Sequence, residues 1–186
     1  MGTPYQPMYP VSGNAPGSRD KALFYLVLAS AALYVIACVV RIYEVSQGID
    51  VLKSGGQPGE YLSHANVAHD ASLAAFTLLL LLLGLFIAFH TTLGKRLGNA
   101  GRAVLHRSPA FTAWRIGIIA SVLLSVFTNP LLATGSSLSE MESDLDLDMV
   151  YYVLRAVLAC VYIWCALSLR KKALQLAASA PPAPRR

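Results

Sequence analysis

The chain of 186 residues is 55% apolar and 13% charged, too oily and too poor in charge for a water-soluble domain of that length. Its formal charge of +5 does not point to nucleic acid, because the basic residues border apolar runs, where anionic lipid is the ordinary neighbour. Four runs, 22–40, 71–89, 116–134 and 149–169, have the length that crosses a hydrocarbon core of roughly 30 Å as a helix. The sequence predicts an all-α polytopic membrane protein, a four-transmembrane-helix bundle spanning 21–172.

Residues 1–20, with prolines at 4, 7, 10 and 16, lack the apolar content to fold alone and read as a disordered cytoplasmic tail. Ala29-Ser30-Ala31 has the small-x-small look of a cleavage site, but the apolar run continues beyond it, so an uncleaved first helix is expected. That run ends in "VVRIYEVSQG", where Arg41 and Glu44 stand three residues apart and are expected to meet as an ion pair on one helix face. "LKSGGQPGEY" then reads as a Gly/Pro turn region.

The second run contains "FTLLLLLLGLFIAF", which has no polar face at any angle and so excludes a soluble bundle. Asp70, in "HDAS", is expected to open this helix with its carboxylate at the positive end of the dipole. Lys95, Arg96, Arg102, Arg107 and Arg115 fall between the second and third runs. Asn129-Pro130 interrupts the third, and the proline frees the carbonyl of Val126. "SSLSEMESDLDLD" reads as a solvated acidic loop, since it lacks the glycine and closing glutamate of a calcium-binding EF-hand loop. Residues 173–186 read as a flexible tail.

Twelve of the fifteen basic residues fall on one side of these four runs and nine of the ten acids on the other. The positive-inside rule then predicts both termini in the cytoplasm, in a plasma membrane or an endomembrane. Cys38, Cys160 and Cys165 all lie within the apolar runs and are expected as free thiols packed like small hydrophobes.

Arg155 lies six residues inside the fourth run, about 9 Å down the helix. A lipid-facing arginine deeper in the core costs several kcal/mol, so it should face the bundle or snorkel to the interface beside Tyr151 and Tyr152. Asp70, Glu44 and Asn129 fall at a similar depth on the other three helices. A polar pocket is therefore expected near the outer leaflet, with Arg155 pairing Asp70 or Glu44, Asn129 bonding among them, and Arg41 at its edge.

His69 and His90 stand at opposite ends of the second run, but the third and fourth contain no histidine to complete haem ligation. His64, His69 and Asp70 lack a fourth metal ligand. No Ser/His/Asp set, phosphate loop or carboxylate pair suggests chemistry, so no cofactor, metal or enzyme activity is expected. Gly84 and Gly117 are small enough for close helix approach, although the face of a homo-oligomer is not readable from them.

The segment "RIYEVSQG" resembles the R-x-x-E-x-x-Q-G stretch of the fungal lipid-translocating exporter family, which includes aminocholesterol-resistance proteins. Arg41, Glu44, Gln47 and Gly48 match it, Asp70 looks like the family's second acid, and His90 stands near its histidine. His64 sits near the family's first glutamate, Thr91 replaces a proline, and the second helix is longer than the family's spacing. The resemblance covers 21–95, whereas family members usually have seven spans. It implies a lipid- or amphiphile-handling protein with membrane lipids as partners. The residues alone leave a second reading open, a tetraspan organising protein with no substrate of its own.

Overall fold

The computed structural model describes residues 17–127 and 138–179. Four helices follow in order, α1 (Ser18–Ser54), α2 (Pro58–His106), α3 (Pro109–Phe127) and α4 (Leu138–Ala178), and there is no strand among the described residues. Three of them, α1, α2 and α4, are long and apolar enough to cross a membrane; the described part of α3 is apolar but shorter.

Local chemistry sets the helix ends. The Gly17 N–H donates to Asp20 Oδ2 at 3.2 Å, so the aspartate closes the first turn of α1 from within. At the other end Gly55 takes a φ of 67°, which lets its N–H donate to Leu52 and the Gly56 N–H donate to Val51. That left-handed stop suits glycine, and Pro58 at the start of α2 needs no donor. α3 begins with Ser108 Oγ accepting from the Phe111 N–H at 3.3 Å, followed by Pro109 in the first helical position.

Within α2, Gly98 has φ 68° and ψ −176°, a conformation closed to other residues. The helix therefore consists of a long limb, 58–97, and a short one, 99–106, folded back along it. The His106 ring lies 4.8 Å from that of His90, sixteen residues earlier, which requires the reversal.

α1 packs on α2 and α4, α4 also touches α2, and α3 sits on α4 with a small seat on α2. Small residues let the backbones approach: Ala31, Ala75, Ala159 and Ala166 are wholly buried in the main core. Phe86 stacks on Trp114 at 4.7 Å, and Ser121 Oγ meets Tyr162 Oη at 2.8 Å, fixing α3 against α2 and α4. Gly117 makes room here, because a methyl group in its place would sit 3.0 Å from the Tyr162 ring.

The outward faces are apolar. Leu33 and Ile36 of α1, Leu73 and Leu80 of α2, Ile116 and Ile119 of α3, and Val153 and Val157 of α4 are each about half exposed or more. Water would penalise that surface, whereas hydrocarbon does not. The fold is that of an all-α bundle with the long apolar helices of a multi-pass membrane protein.

Several expected boundaries move. The turn between α1 and α2 is confined to residues 55–57. From Leu138 the expected acidic loop is helix, and α4 runs on through Ala178 into the expected C-terminal tail. Asp70 does not open a helix, since α2 starts at Pro58. Cys38 and Cys165 are buried, but Cys160 is exposed on α4.

The helices thus extend well beyond their apolar runs at one end of the bundle, called here the acidic end because nine of the ten acids lie there. From Arg41 to Ser54, α1 continues for about 20 Å at 1.5 Å per residue. Val45, Ile49 and Ala68 form a second, smaller core inside this extension, with Leu145 and Met149 packed against it. The opposite, basic end carries the short limb of α2.

Candidate functional site

Between the two cores runs a polar layer. Arg41 follows Cys38, the last α1 residue of the main core, and precedes Val45, the first of the small one. Both cations of the layer face inward: Arg155 is 5% exposed, so it is buried in the bundle rather than snorkelled to the interface.

Tyr152 is the organiser. Its ring carries the Arg155 guanidinium 4.9 Å from the centroid and that of Arg41 at 5.6 Å. Its hydroxyl is hydrogen-bonded to Ser72 Oγ of α2. Arg41 in turn donates from Nε to Asp148 Oδ2 at 3.0 Å, and its Nη2 lies 2.9 Å from the same oxygen. Tyr34 and Cys38 of α1 are electrostatic neighbours of Arg155. One layer thereby ties α1, α2 and α4 together.

The expected pairings are redrawn. Arg41 does not meet Glu44, since it turns to Asp148 of α4 while Glu44 Oε2 meets His64 Nδ1 of α2 at 2.7 Å. Arg155 pairs with neither Asp70 nor Glu44: Asp70 is exposed on the outer side of α2, and Glu44 is taken by the histidine. Asn129 lies outside the described residues. The physical reason is geometric. Positions 41, 44 and 48 share a helix face that is split between two neighbours, so the adjacent charges reach different helices.

The motif segment acquires a structural account in the same way. Arg41 ties α1 to α4, Glu44 ties it to α2, and buried Gly48 lies against the Tyr61 ring, where a methyl group would make ordinary contact at 3.6 Å. Nearer the tip, Lys53 Nζ meets Glu142 Oε1 at 2.6 Å. The hydrogen bond that it donates to Glu142 holds the Lys53 ammonium above its ordinary pKa. The roles of His64, Asp148 and Ser72 are not legible in the sequence; the i,i+4 spacing of Val45 with Ile49 and of Leu145 with Met149 is the signal that helices continue there.

The polar layer is filled by the Tyr152 ring, and the open space lies beside it. A groove of about 460 Å³ runs along the seam of α1 and α4, lined by Ile42, Met149, Val150, Val153 and Leu154, with Asp146 also on its lining. A second cleft of about 350 Å³ lies farther out, beneath the Lys53–Glu142 contact, against Ile49, Leu52 and Ser139. Among the described residues no group of three or more His, Cys, Asp or Glu side chains converges as a metal site. The geometry offers an open apolar groove with Asp146 at its border. Compared with known protein families, curated proteins and solved structures, the chain has no match.

Proposed function

We propose that this multi-pass membrane protein binds a lipid or related amphiphile along the α1–α4 seam, the apolar tail against Val150, Val153 and Leu154 and a cationic head at Asp146. The carrying observation is the groove itself, almost wholly apolar and bordered by one exposed carboxylate. Charge complementarity supports an amine head group, because the acidic end holds nine carboxylates against Arg41, Lys53 and Arg155. The resemblance of Arg41, Glu44, Gln47 and Gly48 to the lipid-translocating exporter segment agrees with it, since Arg41 belongs to the polar layer beside the groove.

In this reading the protein binds or senses rather than catalyses. Arg41, Tyr152 and Arg155 set the spacing of α1 and α4 and so the groove's width. By the positive-inside rule the basic end faces the cytoplasm and the groove opens toward the outer leaflet.

A photo-crosslinker placed by Val153→Cys tests the proposal. It should capture an amine-headed lipid, and capture should fall in the Asp146→Asn variant. Lipid adducts no more frequent or selective than those from the exposed Leu80→Cys position on α2 would sink it. A tetraspan organiser is the second reading, favoured by the polar layer that α1, α2 and α4 already close among themselves. Capture of a single protein from Val153, with lipid at background, would favour that one.

A further inference from the structure

The basic end holds a second feature, unrelated to the groove. Between Asp70 and Glu140 the sequence contains no acid, yet it places Lys95, Arg96, Arg102, Arg107 and Arg115 there. The single acid at this end, Asp20, is engaged: Arg96 Nε donates to its Oδ2 at 2.9 Å. Arg170 is likewise spread over the Phe24 ring, 4.1 Å from the centroid. Lys95, Arg102, Arg107 and Arg115 remain exposed around the α2–α3 turn.

Their position is fixed by the backbone. The short limb reverses at Gly98 and is pinned at its far end by rings, with Phe111 stacked on His90 at 4.4 Å and edge-on to His106 at 4.6 Å. Its inner side, Gly101 and Leu105, is buried, and its outer side, Arg102, Ala103, His106 and Arg107, is exposed. The Arg102 stem lies over Gly94, where a methyl group would stand 3.3 Å from its Cγ. Exposed arginines and lysines bordering a membrane span are attracted to the anionic head groups of the adjoining leaflet.

We propose that the folded-back limb, with Lys95 and Arg115, is a binding surface for anionic phospholipid head groups of the leaflet bordering the basic end. The Arg102 stem already lies over Gly94, so its guanidinium loses less freedom on meeting a phosphate. Arg115, on the first turns of α3, reaches the same phosphates along its stem.

The test compares lipids retained by the full chain when it is extracted with a polymer from vesicles of mixed phosphatidylglycerol and phosphatidylcholine. Phosphatidylglycerol should exceed its bulk share by about fivefold for each cation engaged. The excess should fall in the Arg102→Gln/Arg107→Gln variant and persist in Lys171→Gln/Lys172→Gln, whose charges lie at the same end on α4. Bulk composition around the unsubstituted chain, or equal loss in both variants, would overturn the proposal. A crosslinker at Ala103→Cys gives a reading independent of the arginine variants' folding: preferential capture of phosphatidylglycerol supports the surface, and capture in bulk proportion overturns it.

Discussion

The Tyr152 ring lies against two guanidinium groups and bonds through its hydroxyl to a third helix. Its parts contribute separately. In a membrane interior a side-chain hydrogen bond between helices averages about 0.6 kcal/mol, so Tyr152→Phe should lower the melting temperature only slightly. Desolvated cation–π contacts are worth about 2 kcal/mol or more, and Tyr152→Leu should therefore cost several times as much as Tyr152→Phe in the same thermal melt in detergent. Equal costs would mean that the hydroxyl, not the ring face, holds the layer.

Arg155 shows how far such a residue is legible in sequence. Its depth in an apolar run predicts that it faces protein, because hydrocarbon is a poor solvent for guanidinium, and it is buried. The sequence places Tyr152 only beside an arginine snorkelled to the interface, whereas its ring, one helical turn away, lies against the buried guanidinium. The same reasoning yields a second expectation for Arg41. Its partner Asp148 is only 19% exposed, so Asp148→Asn leaves a cation without its counter-charge near the bundle interior. That substitution should destabilise more than Glu142→Gln, whose contact with Lys53 is open to water and screened by salt. Melts at low and high salt separate the two.

At the scale of elements, the apolar runs are legible because a bilayer imposes a minimum unbroken length. The extensions of α1, α2 and α4 past those runs are far less so, since a helix in water has no such length rule and its polar residues read as loop. Only the pairs Val45–Ile49 and Leu145–Met149 signal that α1 and α4 go on. Nor does sequence announce the reversal in α2, where Gly98 stands within an otherwise helical stretch. With φ at 68° and ψ at −176° there, Gly98→Ala should cost about 1–3 kcal/mol. If the reversal is as tight as the rings of His90, His106 and Phe111 indicate, the variant should also expose the short limb. Faster amide exchange across 99–106 would register this, and unchanged exchange with unchanged stability would show that the turn tolerates a side chain.

For the whole molecule, the two ends differ in both shape and charge. The acidic end carries a three-helix extension with its own small core, while the basic end stops in a limb folded back along α2. Such an extension belongs in water: Ser63 and Asn66 are exposed on polar turns of α2, whereas Leu80 and Leu81 are exposed on its apolar stretch. Cysteines introduced one at a time at these four positions, in a chain with Cys160→Ser, give a map of what surrounds the bundle. A membrane-impermeant maleimide applied to intact cells should label Ser63→Cys and Asn66→Cys and leave Leu80→Cys and Leu81→Cys unmodified. Labelling of the first pair only after permeabilisation would keep the extension but reverse the bundle in the membrane, placing the groove of the α1–α4 seam in the opposite leaflet. Labelling of all four alike would mean that water, not lipid, meets the leucine face, and the membrane reading of the apolar surface would fail with it.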